Sequence, residues 1–247
     1  MVTRPRIVIV GATSAIAEHC ARLWVRAAVD IVLLGRDLVR VSRVATDLRV
    51  RSPHSSVTAH EVNFLDPAGI TVLAQKLASE KAIDVVLIAH GHLPDQTECQ
   101  HDVALARDAL EINGVSPVLF AEAFAHQMEQ VGRGTIAIIG SVAGDRGRKT
   151  NYVYGAAKGM VERYVQGLQH RFAHSKITIV LIKPGPTATP MTAHLPQRGM
   201  ATAQAVASRI VAAIASGIPV VYVPAKWAVI MMVIRHLPRA IFNKLNI

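Results

Sequence analysis

Short runs of β-branched and other apolar residues alternate with longer amphipathic stretches along this chain, and this alternation restricts the fold more than any other feature. Helical stretches of about 12 to 25 residues separate the runs, which is typical of strand-helix-strand units. Connections of that length join parallel strands and place helices on both faces of the sheet. The predicted strands cover residues 6–10, 30–34, 56–60, 84–89, 135–140, 177–182 and 219–223.

The length and composition agree with one domain. The chain has 247 residues, 51% of them apolar, and no linker rich in Pro, Gly or Ser divides it. A chain of this size buries a large core, whereas disordered proteins have a more polar composition. We therefore predict a single α/β domain of the Rossmann type over residues 1–247. Its three αβα layers would enclose a doubly wound, seven-stranded parallel sheet, and an apolar and basic segment, 226–247, would end it.

The segment after the first predicted strand has the features of a dinucleotide-binding turn. Residues 11–17 read Gly-Ala-Thr-Ser-Ala-Ile-Ala and lead into a predicted helix. In a doubly wound sheet the ligand lies beyond the carboxyl ends of the strands, with its pyrophosphate at a helix N-terminus. A small residue is needed at Gly11 for the turn, at Ala15 for close approach of the backbone, and at Ala17 for helix packing.

The end of the second predicted strand bears on the choice of cofactor. It reads Leu34-Gly35-Arg36-Asp37. A carboxylate at the tip of this strand binds a ribose 2′-hydroxyl, whereas an arginine suits a 2′-phosphate. Gly35 leaves the tip uncharged, so Arg36 favours NADP(H), with NAD(H) as the alternative. Asp37 either pairs with Arg36 or starts the following helix.

Three polar residues after the fifth predicted strand have the spacing of a site for carbonyl reduction. Tyr154 follows Ser141 by thirteen residues, and Lys158 comes four residues later. Positions i and i+4 share a helix face, so we expect the Lys158 cation to lower the pKa of the Tyr154 phenol from about 10. Tyr154 is then the predicted general acid. Ser141 binds the carbonyl oxygen, and Lys158 also holds the nicotinamide ribose; no metal is required.

The tyrosine-lysine spacing occurs a second time in the chain, so it is not specific by itself. Tyr222 and Lys226 have the same separation. Pro224 lies between them and interrupts a helix, which removes the shared face. No serine at the matching distance precedes this second pair. The sequence therefore favours Tyr154 and Lys158 as the functional pair.

Taken in order, these segments resemble the short-chain dehydrogenase/reductase family over nearly the whole chain. The matches are the turn at 11–17, Asn113, Ser141, Tyr154, Lys158 and the run 184–189, Pro-Gly-Pro-Thr-Ala-Thr. The resemblance implies that Asn113 holds a proton-relay water as a fourth catalytic residue. It also implies a homodimer or homotetramer.

The resemblance further implies the residues that contact the cofactor. One departure is that Ile88-Ala89-His90-Gly91 replaces the family's usual Asn-Asn-Ala-Gly, and His90 is expected to pack or hydrogen-bond rather than to catalyse. The implied cofactor residues are Gly11, Thr13, Ser14, Ala15, Ile16, Arg36, Asn63, Phe64, Ala89, His90, Gly91, Tyr154, Lys158, Pro184, Gly185, Thr187 and Thr189.

A narrower resemblance concerns the substrate. The stretches 144–154, 191–195 and 229–239 are similar to the decaprenylphosphoryl-2-keto-pentose reductases, which reduce a 2-keto sugar carried on a polyprenyl phosphate. Arg146, Arg148 and Lys149 fit this substrate because they could neutralise a phosphate near the carbonyl. The alternative is a solvated basic loop without a specific role.

The C-terminal segment combines apolar and basic residues. Residues 227–234 are uncharged, and four basic residues alternate with apolar ones beyond them. Eight residues are too few to span a bilayer, which takes about 20. The segment is therefore expected to contact a membrane surface, line the substrate pocket or form a subunit interface.

Charge and cysteine content limit the partners and the compartment. The net charge of +10 suggests an anionic partner, but the basic residues form no dense block, which argues against nucleic acid. Cys20 and Cys99 are too few for a disulfide framework, and the apolar run at 7–10 is too short for a signal peptide. These features predict a chain that begins near Met1 and is cytoplasmic, or peripheral at the inner face of the membrane.

Together these features predict an NAD(P)H-dependent oxidoreductase that reduces a ketone. The preferred substrate is the 2-keto group of a polyprenyl-phosphate-linked sugar. A 3-oxoacyl chain or another hydrophobic ketone is the alternative within the enzyme class. A non-catalytic regulatory protein that binds NADP(H) is the alternative from another class, although such a protein has no need of Ser141, Tyr154 and Lys158 together.

Overall fold

The computed structural model describes residues 4–245, and its centre is a seven-stranded sheet in which all strands run parallel. Each of the seven predicted strands is present, with bounds that differ from the prediction by at most two residues, so the predicted fold is confirmed. The order across the sheet is β3-β2-β1-β4-β5-β6-β9. The strands are β1 (Arg6–Val10), β2 (Asp30–Gly35), β3 (Ser56–Glu61), β4 (Val85–Ile88), β5 (Arg133–Ile139), β6 (Lys176–Pro184), β7 (Thr187–Ala188), β8 (Ala201–Thr202) and β9 (Val220–Val223).

Helices connect the strands and cover both faces of the sheet. Several begin at an aspartate whose carboxylate accepts a hydrogen bond from the first turn, as Asp37 does from the Arg40 N–H and Asp66 from the Ala68 N–H. The helices are α1 (Ala15–Trp24), α2 (Leu38–Arg51), α3 (Pro67–Glu80), α4 (Gln96–His101), α5 (Val103–Leu110), α6 (Ser116–Val131), α7 (Tyr152–Arg171), α8 (Ala203–Ala215), α9 (Lys226–His236) and α10 (Arg239–Phe242).

The core forms one apolar layer on each face of the sheet. In β1, Ile7 and Ile9 pack in the layer that contains α1 and α8, whereas Val8 and Val10 pack in the layer that contains α3 and α6. Both sets of side chains are buried because helices cover both faces. This two-sided burial explains why β1 is apolar at successive positions instead of alternating with polar residues.

The strand order reverses next to β1, which pairs with β2 on one side and β4 on the other. The connections leaving β1 and β4 therefore go to opposite faces and leave a crevice at the carboxyl ends of these strands. Ligands of doubly wound sheets bind in such a crevice. The fold thus places the turn that begins at Gly11 and the segment that begins at Ala89 beside each other.

Two local features were not predicted. Thr187–Ala188 pairs with Ala201–Thr202 as a small parallel sheet, and residues Glu111–Val115 form a π-helical turn between α5 and α6. Two-residue strands are too short to show an alternating pattern. A π-turn has no sequence periodicity of its own, although such turns are frequent at functional sites.

Candidate active site

A cavity of about 700 Å³ lies at the carboxyl ends of β1, β2, β4, β5 and β6. It is lined by every residue that the sequence assigned to the cofactor except Asn63, and by Ser141, Tyr154 and Lys158. Cavity residues that the sequence analysis did not identify include Arg40, Asn151 and Trp227. The motifs of the sequence therefore converge on one site.

The turn after β1 is shaped for close approach of a ligand. Gly11 has a φ of +80°, and a Cβ at this position would lie 2.6 Å from the backbone nitrogen of His90. Only glycine fits both conditions. Ser14 then begins α1, but its side chain makes no capping hydrogen bond. The first-turn amides of α1 are therefore free of side-chain partners at the wall of the cavity, where they can bind an anion.

Two arginines lie at the end of the cavity beside β2. Arg36 and Arg40 both line it, and the Arg36 guanidinium carbon is 5.6 Å from the centre of the Phe64 ring. The neighbouring Asp37 is engaged in starting α2, because its Oδ1 accepts from the Arg40 N–H at 3.0 Å. Of the two roles predicted for Asp37, the structure shows helix initiation. This end of the cavity therefore presents two cations.

Asn63 and Phe64 occupy different environments. Asn63 is exposed and does not line the cavity, and its Oδ1 accepts from the Leu65 N–H at 3.0 Å. Phe64 is buried, lines the cavity and packs against His90 with 4.4 Å between ring centres. Asn63 therefore lies outside the cavity lining, with its carboxamide in the local turn, and its contact with the cofactor stays a prediction.

His90 is a packing and hydrogen-bonding residue in this structure. Its Nε2 lies 2.8 Å from Ser116 Oγ, and its ring contacts Phe64 and Phe120. Burial lowers the pKa of His90 to about 3, and the nearby cation of Lys158 acts in the same direction. The ring is thus neutral at physiological pH, in agreement with a packing and hydrogen-bonding role.

Tyr154 and Ser141 form the polar centre of the cavity. Ser141 and Tyr154 both line the cavity, and the Ser141 Oγ accepts from the Ala143 N–H at 3.1 Å. Burial raises the pKa of Tyr154 to about 12, against a smaller lowering by Ser141. The prediction of a lowered pKa is therefore wrong for the protein alone, because desolvation of the phenolate dominates. Tyr154 carries its proton at neutral pH.

Lys158 lies one turn after Tyr154 on α7. Its Nζ is 5.8 Å from the centre of the Tyr154 ring and donates to the Ile139 carbonyl oxygen at 3.0 Å. Burial lowers the pKa of Lys158 to about 8. The predicted shared helix face is present, but at this distance the cation does not offset the burial of the phenol.

Asn113 lies behind the cavity wall, in the π-helical turn. It is fully buried, its Nδ2 donates to the Ala109 carbonyl at 2.9 Å, and its Oδ1 accepts from the His92 N–H at 2.9 Å. A Cβ added at Gly91 would lie 2.7 Å from Asn113 Oδ1 and 3.7 Å from Lys158 Nζ. Gly91 therefore lies between the Asn113 amide and the Lys158 cation. Because it has no side chain, the two groups can approach each other at this point.

The second tyrosine-lysine pair has a different role. Tyr222 lies in β9 and Lys226 begins α9, so the two residues share no helix face. The Tyr222 hydroxyl donates to Asp145, at 3.2 Å from its Oδ2. The structure thus separates this pair from the cavity and assigns Tyr222 to a buried polar cluster.

That buried cluster, formed by Lys183, Asp145, Glu162 and Tyr222, joins the segments that carry the site. Lys183 Nζ donates to Asp145 and, at 2.8 Å, to Glu162 Oε2. Asp145 ends the turn that starts at Ser141, Glu162 is on α7, and Lys183 immediately precedes the cavity residue Pro184. Sequence reasoning missed this cluster because its members are far apart along the chain.

The three predicted substrate-binding residues lie in different places. Arg146 points away from the cavity: its Nη1 donates to the carbonyl oxygens of Ile234 at 2.5 Å and Leu237 at 2.7 Å. Lys149 is exposed and does not line the cavity. Only Arg148 lines it. The predicted grouping of all three around one phosphate is therefore corrected, because Arg146 is engaged in holding the C-terminal helix.

The C-terminal segment contributes to the cavity wall through its first turn. Trp227 lines the cavity, and a Cβ added at Gly185 would lie 2.0 Å from Trp227 Nε1. Beyond this turn α9 is largely exposed, with Met231 its one buried residue. Across residues 4–245, no helix is long and apolar enough to cross a membrane. The same range contains no group of three His, Cys, Asp or Glu side chains arranged to hold a metal.

Comparison with protein families identifies the class. Residues 5–199 match the model of the short chain dehydrogenases, so the chain belongs to this family, whose members are oxidoreductases acting on alcohols and ketones with NAD(P). The chain is 29% identical over 243 residues to the uncharacterized oxidoreductase Rv2073c of Mycobacterium tuberculosis, covering 97% of this chain and 96% of the relative. An uncharacterized oxidoreductase of Streptomyces coelicolor is 25% identical, with 97% and 95% covered.

Solved structures show the same fold at lower identity. A short-chain dehydrogenase from Sphingobium yanoikuyae, in complex with NADPH, superposes with a TM-score of 0.82 at 24% identity, covering 96% of this chain and 97% of that one. A Burkholderia cenocepacia short chain dehydrogenase in complex with NADP gives 0.83 at 18% identity, with 99% and 98% covered.

Proposed function

We propose that this protein reduces a ketone to an alcohol at Tyr154, using NADPH. The observation that carries the proposal is the state of Tyr154, whose hydroxyl is protonated at neutral pH and lies in the same cavity as Ser141 and Lys158. The nicotinamide, when bound, supplies the hydride. Tyr154 donates its proton to the carbonyl oxygen as negative charge develops there, and Ser141 stabilises that charge by a hydrogen bond.

Lys158 supports this step in two ways. With a pKa of about 8 it remains a cation at neutral pH, so it stabilises the phenolate left after proton transfer. Its position beside Gly91 and Asn113 suits a path that returns a proton to Tyr154 through Lys158 and a water near Asn113. In the proposed mechanism Lys158 also binds the nicotinamide ribose.

The preference for NADPH over NADH rests on the end of the cavity beside β2. Arg36 and Arg40 both line it, while Asp37 is engaged at the start of α2. A 2′-phosphate would meet two guanidinium groups there, which bind phosphate with charge-assisted hydrogen bonds. The Sphingobium and Burkholderia relatives were solved with NADPH and NADP, which supports the same choice.

Hydride transfer gives a direct test of this proposal. The purified protein is incubated with NADPH that carries deuterium at both hydrogen positions of C4 and a panel of ketones, and the product alcohols are analysed by mass spectrometry. We expect one deuterium in the alcohol and consumption of NADPH in equal amount. Cofactor that binds without any product would instead support the non-catalytic regulatory protein, and product without deuterium would exclude hydride transfer.

For the substrate, we propose a ketone linked to a lipid phosphate, such as a 2-keto sugar on a polyprenyl phosphate. The support is the surface beyond Trp227, where Val229, Met232 and Val233 are exposed. Residues 226–245 include four Lys or Arg residues and no Asp or Glu, so this surface complements anionic lipid. A polyprenyl chain lying along α9 would bring its headgroup to the cavity beside Trp227.

A 3-oxoacyl chain or another hydrophobic ketone is the second candidate, because the same exposed apolar face suits it. The two substrates differ in the role of the membrane. Co-sedimentation with vesicles of anionic and of neutral phospholipid is compared for wild type and Val229→Ser/Met232→Ser. The lipid-phosphate proposal predicts binding to anionic vesicles that the double variant loses. Binding to neither vesicle type would contradict it, and a change in subunit number would show a subunit interface instead.

The compartment and assembly follow as parts of this proposal. The protein acts in the cytoplasm, at the inner face of the membrane where lipid-linked substrates are available. It assembles as a homodimer or homotetramer, as the family resemblance implies. Analytical ultracentrifugation of the detergent-free protein tests the assembly, and a monomer at micromolar concentration would contradict it.

A further inference from the structure

Two polar atoms on one wall of the cavity are buried and have no hydrogen-bond partner among residues 4–245. They are Nε of Arg148 and Oδ1 of Asn151, and both residues line the cavity. Buried polar groups are nearly always paired, because an unpaired one loses its water without compensation. One of these atoms is a donor on a cation and the other is an acceptor, so a ligand can satisfy both.

Asn151 is left unpaired because another residue performs its usual task. It occupies the position that precedes α7, where asparagine normally accepts a hydrogen bond from the first turn. Here the Asn151 side chain makes no such bond. The Val153 N–H donates instead to Gln96 Oε1 at 3.0 Å. The contact from α4 therefore frees the Asn151 carboxamide to face the cavity.

The charge of Arg148 is uncompensated by the protein. Within the described range, no carboxylate oxygen lies within 4.0 Å of its guanidinium nitrogens. Arg146, two residues earlier, is fully engaged with backbone carbonyls. Burial lowers the pKa of Arg148 from its usual value, which shows the cost of holding this cation in the wall. An oxyanion in the cavity would offset that cost.

The two residues are held in fixed relation to the reacting centre. The Asn151 N–H donates to the Arg148 carbonyl at 3.1 Å, which closes the turn between them. Tyr154 follows Asn151 by three residues in the first turn of α7 and lines the same cavity. The unpaired groups therefore lie in the same cavity as Tyr154 and on the segment that leads directly to it.

We propose that Arg148 and Asn151 form a substrate subsite that binds an oxyanion and a hydroxyl of the ketone reduced at Tyr154. Arg148 donates to a phosphate or carboxylate oxygen, and Asn151 Oδ1 accepts from a hydroxyl group. The substrate class is thus a hydroxylated ketone with an anionic group within reach of the guanidinium. The subsite rests on the proposed reductase function and adds to it the polar groups that the substrate must carry.

The test uses four five-carbon ketones that differ only in these groups. 2-Pentanone has neither, D-ribulose has hydroxyls, levulinate has a carboxylate, and D-ribulose 5-phosphate has both hydroxyls and a phosphate. Their kcat and KM with NADPH are measured for wild type, Arg148→Met and Asn151→Leu. Lys149→Met is the matched control, because it removes the same charge from the exposed neighbour of Arg148.

We expect Arg148→Met to raise KM for ribulose 5-phosphate and levulinate about 10- to 100-fold, as loss of a charge-assisted hydrogen bond does, and to spare 2-pentanone. Asn151→Leu should raise KM for the two sugars and spare levulinate. Lys149→Met should change none of them. Comparing the KM of levulinate with that of ribulose 5-phosphate shows whether the subsite prefers a carboxylate or a phosphate. Equal effects of Arg148→Met on all four ketones would overturn the subsite.

A binding measurement separates failure of the subsite from failure of the reductase proposal. Ribitol 5-phosphate, ribitol and inorganic phosphate, which cannot be reduced, are titrated by calorimetry into the protein with NADPH, so that neither reduction nor oxidation takes place. Tighter binding of ribitol 5-phosphate than of ribitol, lost in Arg148→Met, supports the subsite even if no ketone is turned over. Turnover of 2-pentanone without any preference among these ligands would leave the reductase proposal intact and refute the subsite.

Discussion

Replacing Lys183 by methionine should destabilise the protein strongly, because the change leaves two buried carboxylates without their nearest cation. The side chains of Lys183, Asp145 and Glu162 are 2%, 0% and 14% exposed. Removing one partner of a buried ion pair costs about 3–5 kcal/mol. For a chain of this length each kcal/mol lowers Tm by about 2–4 °C, so we expect a decrease of about 6–20 °C.

The assay is a thermal melt of the full chain, compared with Lys176→Met. Lys176 begins the same strand, β6, and is exposed, so its variant controls for the loss of one positive charge. A Tm of Lys183→Met within about 2 °C of that control would refute the reasoning, since surface charges contribute little to stability.

The pH dependence of the same melts gives a second check. Burial alone would lower the pKa of Lys183, but hydrogen bonds to Asp145 and Glu162 outweigh it and raise the pKa above its usual value of 10.5. A cation whose folded pKa is raised stabilises the fold fully below the unfolded pKa and loses this effect above the folded one. The difference between wild type and Lys183→Met should therefore be constant from pH 7 to 9 and shrink above about pH 10.5.

Three further predictions concern the cavity. Because Lys158 has a pKa of about 8 and acts as a cation, kcat/KM for reduction should fall about tenfold per pH unit above pH 8, while circular dichroism shows an intact fold. A kcat/KM that stays constant up to pH 10 would contradict this role. Arg40→Leu should raise KM for NADPH about tenfold and leave KM for NADH unchanged. Arg43→Leu, on the exposed side of α2, is the control and should change neither KM. An equal increase in KM for both cofactors in Arg40→Leu would exclude a 2′-phosphate contact. Gly11→Ala should lower the free energy of unfolding by more than ~2 kcal/mol in urea, because its positive φ and close backbone neighbours exclude a Cβ, whereas Gly147→Ala, which has open space, should be nearly neutral.

The sequence predicted the sheet well because a parallel sheet buries both faces of its strands. The runs at 6–10 and 30–34 are apolar at nearly every position, and the structure buries Ile9 and Leu33 on one face and Val10 and Val32 on the other. Most of the predicted site residues also line one cavity, because the strand ends of this fold meet at one edge. The positions of Gly11, Ser141 and Tyr154 relative to the strands were therefore enough to predict that these residues lie near one another.

The direction of individual side chains was not predictable in the same way. Arg146, Arg148 and Lys149 lie in one loop, and nothing in the local sequence distinguishes them. Arg146 is directed outward by the carbonyls of Ile234, near the end of α9, and Leu237, just beyond it, which lie 88 and 91 residues further along the chain. Arg148 is the one residue of the three that lines the cavity, and no local pattern in the sequence indicates this.

The pKa of Tyr154 shows a limit of a different kind. The sequence shows that Lys158 is four residues away, but it does not give the separation of the two groups or the depth of burial. The Lys158 cation favours a lower pKa of Tyr154 and burial of the phenol favours a higher one. The stronger effect decides the direction of the pKa shift, and in this structure burial dominates. The lowered pKa expected from the spacing was wrong for this reason, while the assignment of Tyr154 as the proton donor stays a proposal.

The most direct test of this assignment is single-turnover reduction by Tyr154→Phe. The substitution removes the phenolic oxygen and keeps the ring, so the affinity for NADPH, measured by fluorescence titration, should not change. The rate of ketone reduction at saturating NADPH should fall about 10²- to 10⁴-fold, as expected for loss of a general acid. A variant that binds NADPH normally and reduces ketone at the wild-type rate would contradict the central claim.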